Sequence, residues 1–173
     1  TWQQTAEDEY ISVDGESKNI GETKRNGWEL ATNWQVTSRV ELWANYSHTD
    51  TEIVNTSTSN AANIGNALRS IPEYTASVGL TAIINDQLTT RFHVDTQGDY
   101  FVNEANLGGE FGGYTLASAS IDYDVDWALL SFNINNVFDE YFEYAYDFSS
   151  DGTATIHSPG DGRNFSLSAK FSF

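Results

Sequence analysis

The 173-residue chain carries 25 Asp and Glu against 8 Lys and Arg, for a formal charge of −17 at pH 7, and it has no cysteine. Such acidity excludes a nucleic-acid surface, which must be basic to neutralise phosphates. Without cysteine there is no disulfide framework and no thiolate metal site, and only His48, His93 and His157 offer imidazoles.

The apolar residues are too scattered for a bilayer-spanning helix, which needs about twenty in succession. No charged-then-apolar leader opens "TWQQTAEDEY", so the chain reads as a mature product or a piece of something longer. The acids crowd into "AEDEYISVDGE" and "DEYFEYAYDFSSDG", which are expected to be connections kept soluble by charge.

Taken in chain order, the alternating runs predict strands. "NGWELATNWQV" sets Trp28, Leu30, Trp34 and Val36 on one parity, and "RVELWANYSHT" sets Val40, Leu42, Ala44 and Tyr46. "EYTASVGLTAII" presents Tyr74, Ala76, Val78, Leu80, Ala82 and Ile84, and "LTTRFHVDTQG" presents Leu88, Phe92 and Val94. "YTLASASIDYDV" gives Ala117, Ala119, Ile121 and Tyr123, and "ALLSFNINNVF" gives Leu130, Phe132 and Ile134. The closing "RNFSLSAKFSF" alternates Phe165, Leu167, Ala169, Phe171 and Phe173 with Ser166, Ser168, Lys170 and Ser172. The opening segment alternates poorly and reads as the end of a strand passing into an outer loop, leaving seven clear strands.

Short turns at 37–39, 85–87 and 124–127 alternate with long connections at 49–72, 98–113 and 139–162. A β-sandwich has no reason to gather its long loops at one end. An outer-membrane barrel does, with short inner turns, long outer loops and strands of about nine to eleven residues. The opposite parity is polar, with Arg91, His93 and Asp95 in succession beside Thr89, and Glu29, Asn33 and Gln35 on another strand, as a wet lumen requires. Trp28, Trp34, Trp43, Trp127, Tyr46, Tyr114 and Tyr123 fall near strand ends and are expected to form interfacial girdles. Single-chain bacterial barrels have an even strand number, so a chain of seven strands is expected to be the end of a longer barrel.

At three places the sequence resembles the TonB-dependent outer-membrane receptors. These are "NIGETKRNGWELATNWQVTSRVELWANYSHTDTEI", "NINNVFDEYFE" with Asn136, Val137, Phe138 and Asp139, and "PGDGRNFSLSAKFSF" with its terminal aromatic strand. The first aromatic after Asp139 arrives early, at Tyr141, and Gly162 stands where a Pro often precedes the Arg. The resemblance implies an all-β antiparallel transmembrane barrel of about twenty-two strands. Residues 1–173 would be its carboxy-terminal portion, with the plug domain outside this chain.

It also implies active uptake of a scarce nutrient, foremost a ferric siderophore or other iron complex, across the outer membrane of a Gram-negative bacterium. Its partners would be outer-membrane lipid, a TonB-type energy-transducing inner-membrane complex reached through residues not in this chain, the barrel-assembly machinery, and the iron chelate. Phe165, Leu167, Phe171 and Phe173 would form the signal read by that machinery. The alternative is a small eight-stranded outer-membrane barrel with a structural or adhesion role, and an outer-membrane enzyme comes third.

No catalytic constellation stands out. "FSLSA" lacks the Gly-x-Ser-x-Gly elbow, the histidines lie on separate elements, and Asp122, Asp124 and Asp126 straddle a turn. No cofactor is implied, and the acids of "DFSSDGTATIHSPGDG" do not fit the twelve-residue calcium loop. Ligand capture is expected from Tyr100, Phe101, Asn103 and Glu104 in one outer loop and Tyr141, Tyr144 and Tyr146 in another, because aromatics cover a chelate while polar groups orient it.

Overall fold

The computed structural model describes residues 1–13, 16–56, 58–147 and 155–171, and over these the chain is antiparallel β-structure. The strands are β1 (Trp2–Val13), β2 (Glu16–Thr37), β3 (Val40–Asn55), β4 (Tyr74–Ile83), β5 (Leu88–Gln97), β6 (Tyr100–Phe101), β7 (Glu110–Phe111), β8 (Tyr114–Val125), β9 (Ala128–Asn135), β10 (Glu143–Asp147), β11 (Thr155–Pro159) and β12 (Asn164–Phe171), with one 3-10 segment at Thr58–Asn63. Eight strands form one sheet in the order β1-β2-β3-β4-β5-β8-β9-β12, while β6-β7 and β10-β11 are separate hairpins. No helix among the described residues is long and apolar enough to cross a membrane.

Each large strand pairs with the one before it in the sheet, so one register runs across the wall. Leu42 opposes Leu80, Leu80 opposes Phe92, Phe92 opposes Ala119, Ala119 opposes Ile134, and Ile134 opposes Phe165. Directly opposed residues point to the same face. The parities read strand by strand therefore merge into one apolar face and one polar face. On the apolar face Leu30 is 60 % exposed, Trp34 61 %, Phe165 61 % and Leu167 79 %. That is far more contiguous exposed hydrocarbon than a monomeric water-soluble sheet leaves uncovered, and a lipid contact accounts for it.

The opening segment is a strand. β1 pairs with β2 along residues 16–27 only, so the ladder stops at Trp2 opposite Gly27 and passes no lower on β2. This stretch was hard to read because the partner half of β2 is itself polar, so neither face selects for alternation. The ladder carries register shifts after Ala6 and around Glu9. Gly21 takes a φ of +93°, and a Cβ there would overlap the Asn55 carbonyl where β3 approaches. Although this makes eight strands, β1 and β12 remain the two edges of the sheet, so the described residues form part of a wall and not a closed small barrel.

The long connections also hold more structure than their sequence suggested. β3 continues to Asn55, taking in the first seven residues of the expected loop at 49–72, because β2 extends upward beside it and pairs as far as Glu22. The connections at 98–113 and 139–162 contain the β6-β7 and β10-β11 hairpins. At the opposite end the turns are tight, and Arg39 ties two of them together through Asp86 at 3.6 Å and the Ile84 carbonyl at 3.3 Å.

Two expected girdle aromatics lie elsewhere. Trp43 is on the polar face and covers Gly79, where a Cβ would overlap its ring. Tyr114 opposes Gln97, also on polar parity, and packs against Phe142 at 5.2 Å. Alternation assigns each to the polar face, and proximity to a strand end was the weaker guide. Of the remaining ones, Trp28, Tyr46 and Trp127 form clusters on the apolar face. Trp28 stacks on Tyr46 at 4.8 Å and Tyr46 on Tyr74 at 6.3 Å toward the long loops, while Trp127 stacks on Phe171 at 5.8 Å beside a short turn.

The motif "NNVFD" has a specific structural task. Asn136, buried and at a φ of +50°, accepts a bond from Glu140 N–H at 2.8 Å and donates to the carbonyls of Glu140 at 2.8 Å and Asp161 at 3.3 Å. Asp139 accepts from Arg163 N–H at 2.8 Å, and the Arg163 guanidinium donates to the Val137 carbonyl at 3.3 Å. The end of β9 is thereby fastened to the start of β12.

A direct consequence of the parity is an asymmetry between neighbours on β9. Phe132→Arg places charge on the apolar face and should cost about 2–4 kcal/mol near mid-membrane, whereas Asn133→Arg should cost much less. Reversible folding into lipid measures both, and equal losses would contradict the assignment of faces.

Candidate functional site

Two regions could engage a solute, namely the polar face of the wall and the bundle of long connections above it. On the polar face several charged residues meet partners from the same wall. Arg91 and Asp122 form an ion pair, and Asp122 also accepts from Ser131 at 2.6 Å. His93 lies 3.4 Å from Asp95, which accepts from Ser77 at 2.6 Å. Asn33 donates to Glu41 at 3.1 Å, Asn133 to Ser166 at 3.2 Å and Asn135 to Asn164 at 2.8 Å. Arg91, His93 and Asp95 thus share one face as their alternation implies, and each meets a partner from the same wall.

The buried apolar groups of the described residues lie chiefly in the connections. Ile53 and Leu68 form one cluster with Ile71 against it, and Tyr100, Val102 and Ala145 form another with Phe111. A β-sheet with lipid on one side and water on the other has no interior to fill, so apolar burial is left to the loops.

Those loops are fastened to one another. Arg69 meets Glu104 at 3.0 Å, Asn66 donates to the Glu104 carbonyl at 2.9 Å, and Asn106 exchanges two bonds with the Ala67 backbone at 2.9 and 3.0 Å. Ser70 N–H donates to the Phe101 carbonyl at 2.7 Å. On the other side the Tyr100 hydroxyl accepts from Ala145 N–H at 3.1 Å and donates to its carbonyl at 3.0 Å. Residues 56–73, 98–113 and 139–162 are therefore linked in series.

This geometry divides the candidate residues. Tyr100 is buried, and Asn103 folds back on Leu107 through bonds of 2.9 and 3.1 Å, so both brace the bundle. Glu104 is held by Arg69, and Phe101 lies at its hairpin pairing with Glu110. Tyr141 at 73 % exposure and Tyr144 at 46 % present open aromatic surface. Tyr146 pairs with Ile156 across β10-β11. Phe165, Leu167 and Phe171 lie on β12, and Phe173 is outside the described residues.

Tyr141 also belongs to a small polar set that sequence reading did not assemble. Its hydroxyl donates to Glu143 at 2.9 Å, and the other carboxylate oxygen lies 2.8 Å from His157 Nδ1. The Tyr141 bond, followed by His157, holds the Glu143 carboxyl below its ordinary range, and the same carboxylate pushes the Tyr141 phenol up. The signal was present only as two residues at i and i+2, Tyr141 just before β10 and Glu143 at its start, because their partner comes from β11, across a connection no short motif spans. Asn106, which bridges two loops from a φ of +53°, was missed for the same reason.

Comparison with known proteins places the arrangement. The family "TonB dependent receptor-like, beta-barrel" matches residues 2–137. "Probable TonB-dependent siderophore receptor PiuA" of Acinetobacter baumannii is 26 % identical over 165 residues, covering 90 % of this chain and 21 % of that protein. "Ferric-pyoverdine M114 receptor PbuA" of Pseudomonas sp. strain M114 is 27 % identical over 170 residues, covering 91 % and 19 %. The PiuA crystal structure superposes with a TM-score of 0.81 at 23 % identity over 98 % of this chain and 25 % of that one. The ferric yersiniabactin uptake receptor FyuA of Yersinia pestis gives 0.81 at 19 % identity, over 99 % and 26 %. The chain spans about a fifth of the length of the curated relatives it matches. With eight meandering strands, an apolar outer parity and long connections gathered at one end, the chain belongs to the TonB-dependent receptor β-barrel family.

Proposed function

We propose that this chain supplies part of the wall and part of the ligand-gathering surface of an active outer-membrane importer for an iron chelate, foremost a ferric siderophore. Members of its family are transporters and not enzymes. The observation that carries the reading is the serial fastening of three long connections above a polar wall. A surface braced in advance loses less entropy on binding than a set of free loops. Tyr141 and Tyr144 provide exposed aromatic area on it, and Tyr100, Asn103 and Glu104 hold its shape. The siderophore-receptor names of the two curated relatives support the same class of cargo.

In this reading the long connections face outside a Gram-negative cell, the short turns face inward, and a TonB-type inner-membrane complex supplies energy through parts of the protein beyond this chain. The apolar row of β12, with Phe165, Leu167 and Phe171 continuing toward Phe173, serves as the signal for barrel assembly.

Two outcomes test the capture surface. In the full-length receptor, Tyr141→Ala combined with Tyr144→Ala should weaken binding of radiolabelled ferric hydroxamate or catecholate chelates by tenfold or more, equivalent to about 1.4 kcal/mol. Heat-modifiable gel mobility should stay at the parent's, and undiminished binding of every chelate the parent binds would overturn the role of these tyrosines.

The second outcome concerns pH. Because the folded Glu143 carboxyl lies below its unfolded value, its contribution is complete above the ordinary range, about 4.3, and is lost as pH falls through the folded value. The β10-β11 hairpin should hold its order across the neutral range and loosen only in stronger acid. Carbon-detected NMR of Glu143 should show a low midpoint that rises in Tyr141→Phe. An unchanged midpoint in that variant would show that the hydroxyl is not what stabilises the carboxylate.

A further inference from the structure

Where the β3-β4 pair meets the long connections, three metal-ligating side chains converge. His48 and Asp50 alternate on β3, and Glu73 immediately precedes β4. Ligand atoms from the three all lie within 4.8 Å of one another, with His48 Nε2 3.3 Å from Asp50 Oδ1. The backbone fixes this meeting, because Thr49, between the first two, donates its N–H to the Glu73 carbonyl at 2.9 Å. The His48 ring is further placed by Trp28, whose centroid lies 6.1 Å away, so the group sits at the aromatic ladder of Trp28, Tyr46 and Tyr74.

We infer that His48, Asp50 and Glu73 form a divalent-cation site at the loop end of the β3-β4 pair, suited to zinc or a similar first-row ion. One imidazole and two carboxylates are a mixed nitrogen and oxygen set that such ions accept. Ligand atoms about 2.0–2.2 Å from a zinc ion stand roughly 3–3.5 Å apart. The His48 to Asp50 distance already meets this, and the exposed Asp50 and Glu73 carboxylates can rotate to complete the set. Charge favours the same occupant. Among the described residues no Lys or Arg forms an ion pair with Asp50 or Glu73, so two carboxylates face one imidazole in a chain already at −17. The ion is assigned a structural role, because its ligands come from two neighbouring strands' ends. It ties β3 to β4 just where the sheet gives way to the loop bundle.

Zinc alone is the probe. The full-length protein in detergent, stripped with chelator, is titrated with Zn²⁺ by calorimetry beside His48→Ala, Glu73→Gln and the reference Asp124→Asn. Glu73→Gln keeps the side-chain size and the backbone bond to Thr49, so it removes a ligand without removing the turn. The parent and Asp124→Asn should share a binding event that weakens at least tenfold in both His48→Ala and Glu73→Gln. Zn²⁺ should also raise the unfolding temperature of the parent but not of Glu73→Gln. Isotherms and unfolding shifts that are the same in the parent and Glu73→Gln would overturn the site. Neither readout depends on which chelate the receptor carries.

Discussion

Within a hydrocarbon layer every peptide N–H and carbonyl must find a partner inside the protein, because each one left open costs several kcal/mol. For strands this demands an unbroken ladder, and an unbroken antiparallel ladder fixes side-chain parity across all its members. The rows from Leu42 through Phe92 to Phe165 exist because one register is handed from strand to strand. A slip of one residue between β8 and β9 would put Asn133 and Ser166 into lipid and Phe132 and Leu167 into water. The identity of either face is therefore a collective property, and no single strand sets it.

The same constraint explains where packing energy resides. Apolar side chains on the wall contact lipid and gain nothing from burial against each other beyond van der Waals fit, so the sheet needs no core. Burial of the usual kind appears where the chain leaves the membrane layer, in the clusters around Ile53 and Leu68 and around Tyr100 and Val102. Each cluster is small, and polar clasps at Asn106, Tyr100 and Asn136 supply the specificity that a larger core would otherwise give.

Legibility in the sequence follows from this division. From Trp28 through Phe171 the wall could be read strand by strand, since lipid on one side and water on the other impose alternation along most of each strand. β1 was obscure because its ladder with β2 lies among polar residues of both parities, where nothing selects a period of two. Trp43 and Tyr114 were misplaced by attending to their nearness to strand ends when their parity already put them on the polar face. The loop bundle could not be read at all from local pattern. Its joints link Ala67 to Asn106, Tyr100 to Ala145, and Glu143 to His157, pairs that are 39, 45 and 14 residues apart.

The two layers also differ in what substitution can change. A wall position is judged by its environment, lipid or water, so many residues of the right polarity suit it, and distant sequences converge on one architecture; identities near 20 % accompany TM-scores near 0.8. A loop position is judged by one partner. Removing the Asn136 amide leaves a Glu140 N–H without its acceptor and two carbonyls without a donor, and each unsatisfied group costs about 1–3 kcal/mol when buried. The loop bundle is thus built from contacts that tolerate little locally, mounted on a wall that tolerates much. Under the proposed role, changes of cargo would arise at exposed loop positions such as Tyr141 and Tyr144 and not at buried joints such as Tyr100 and Asn136.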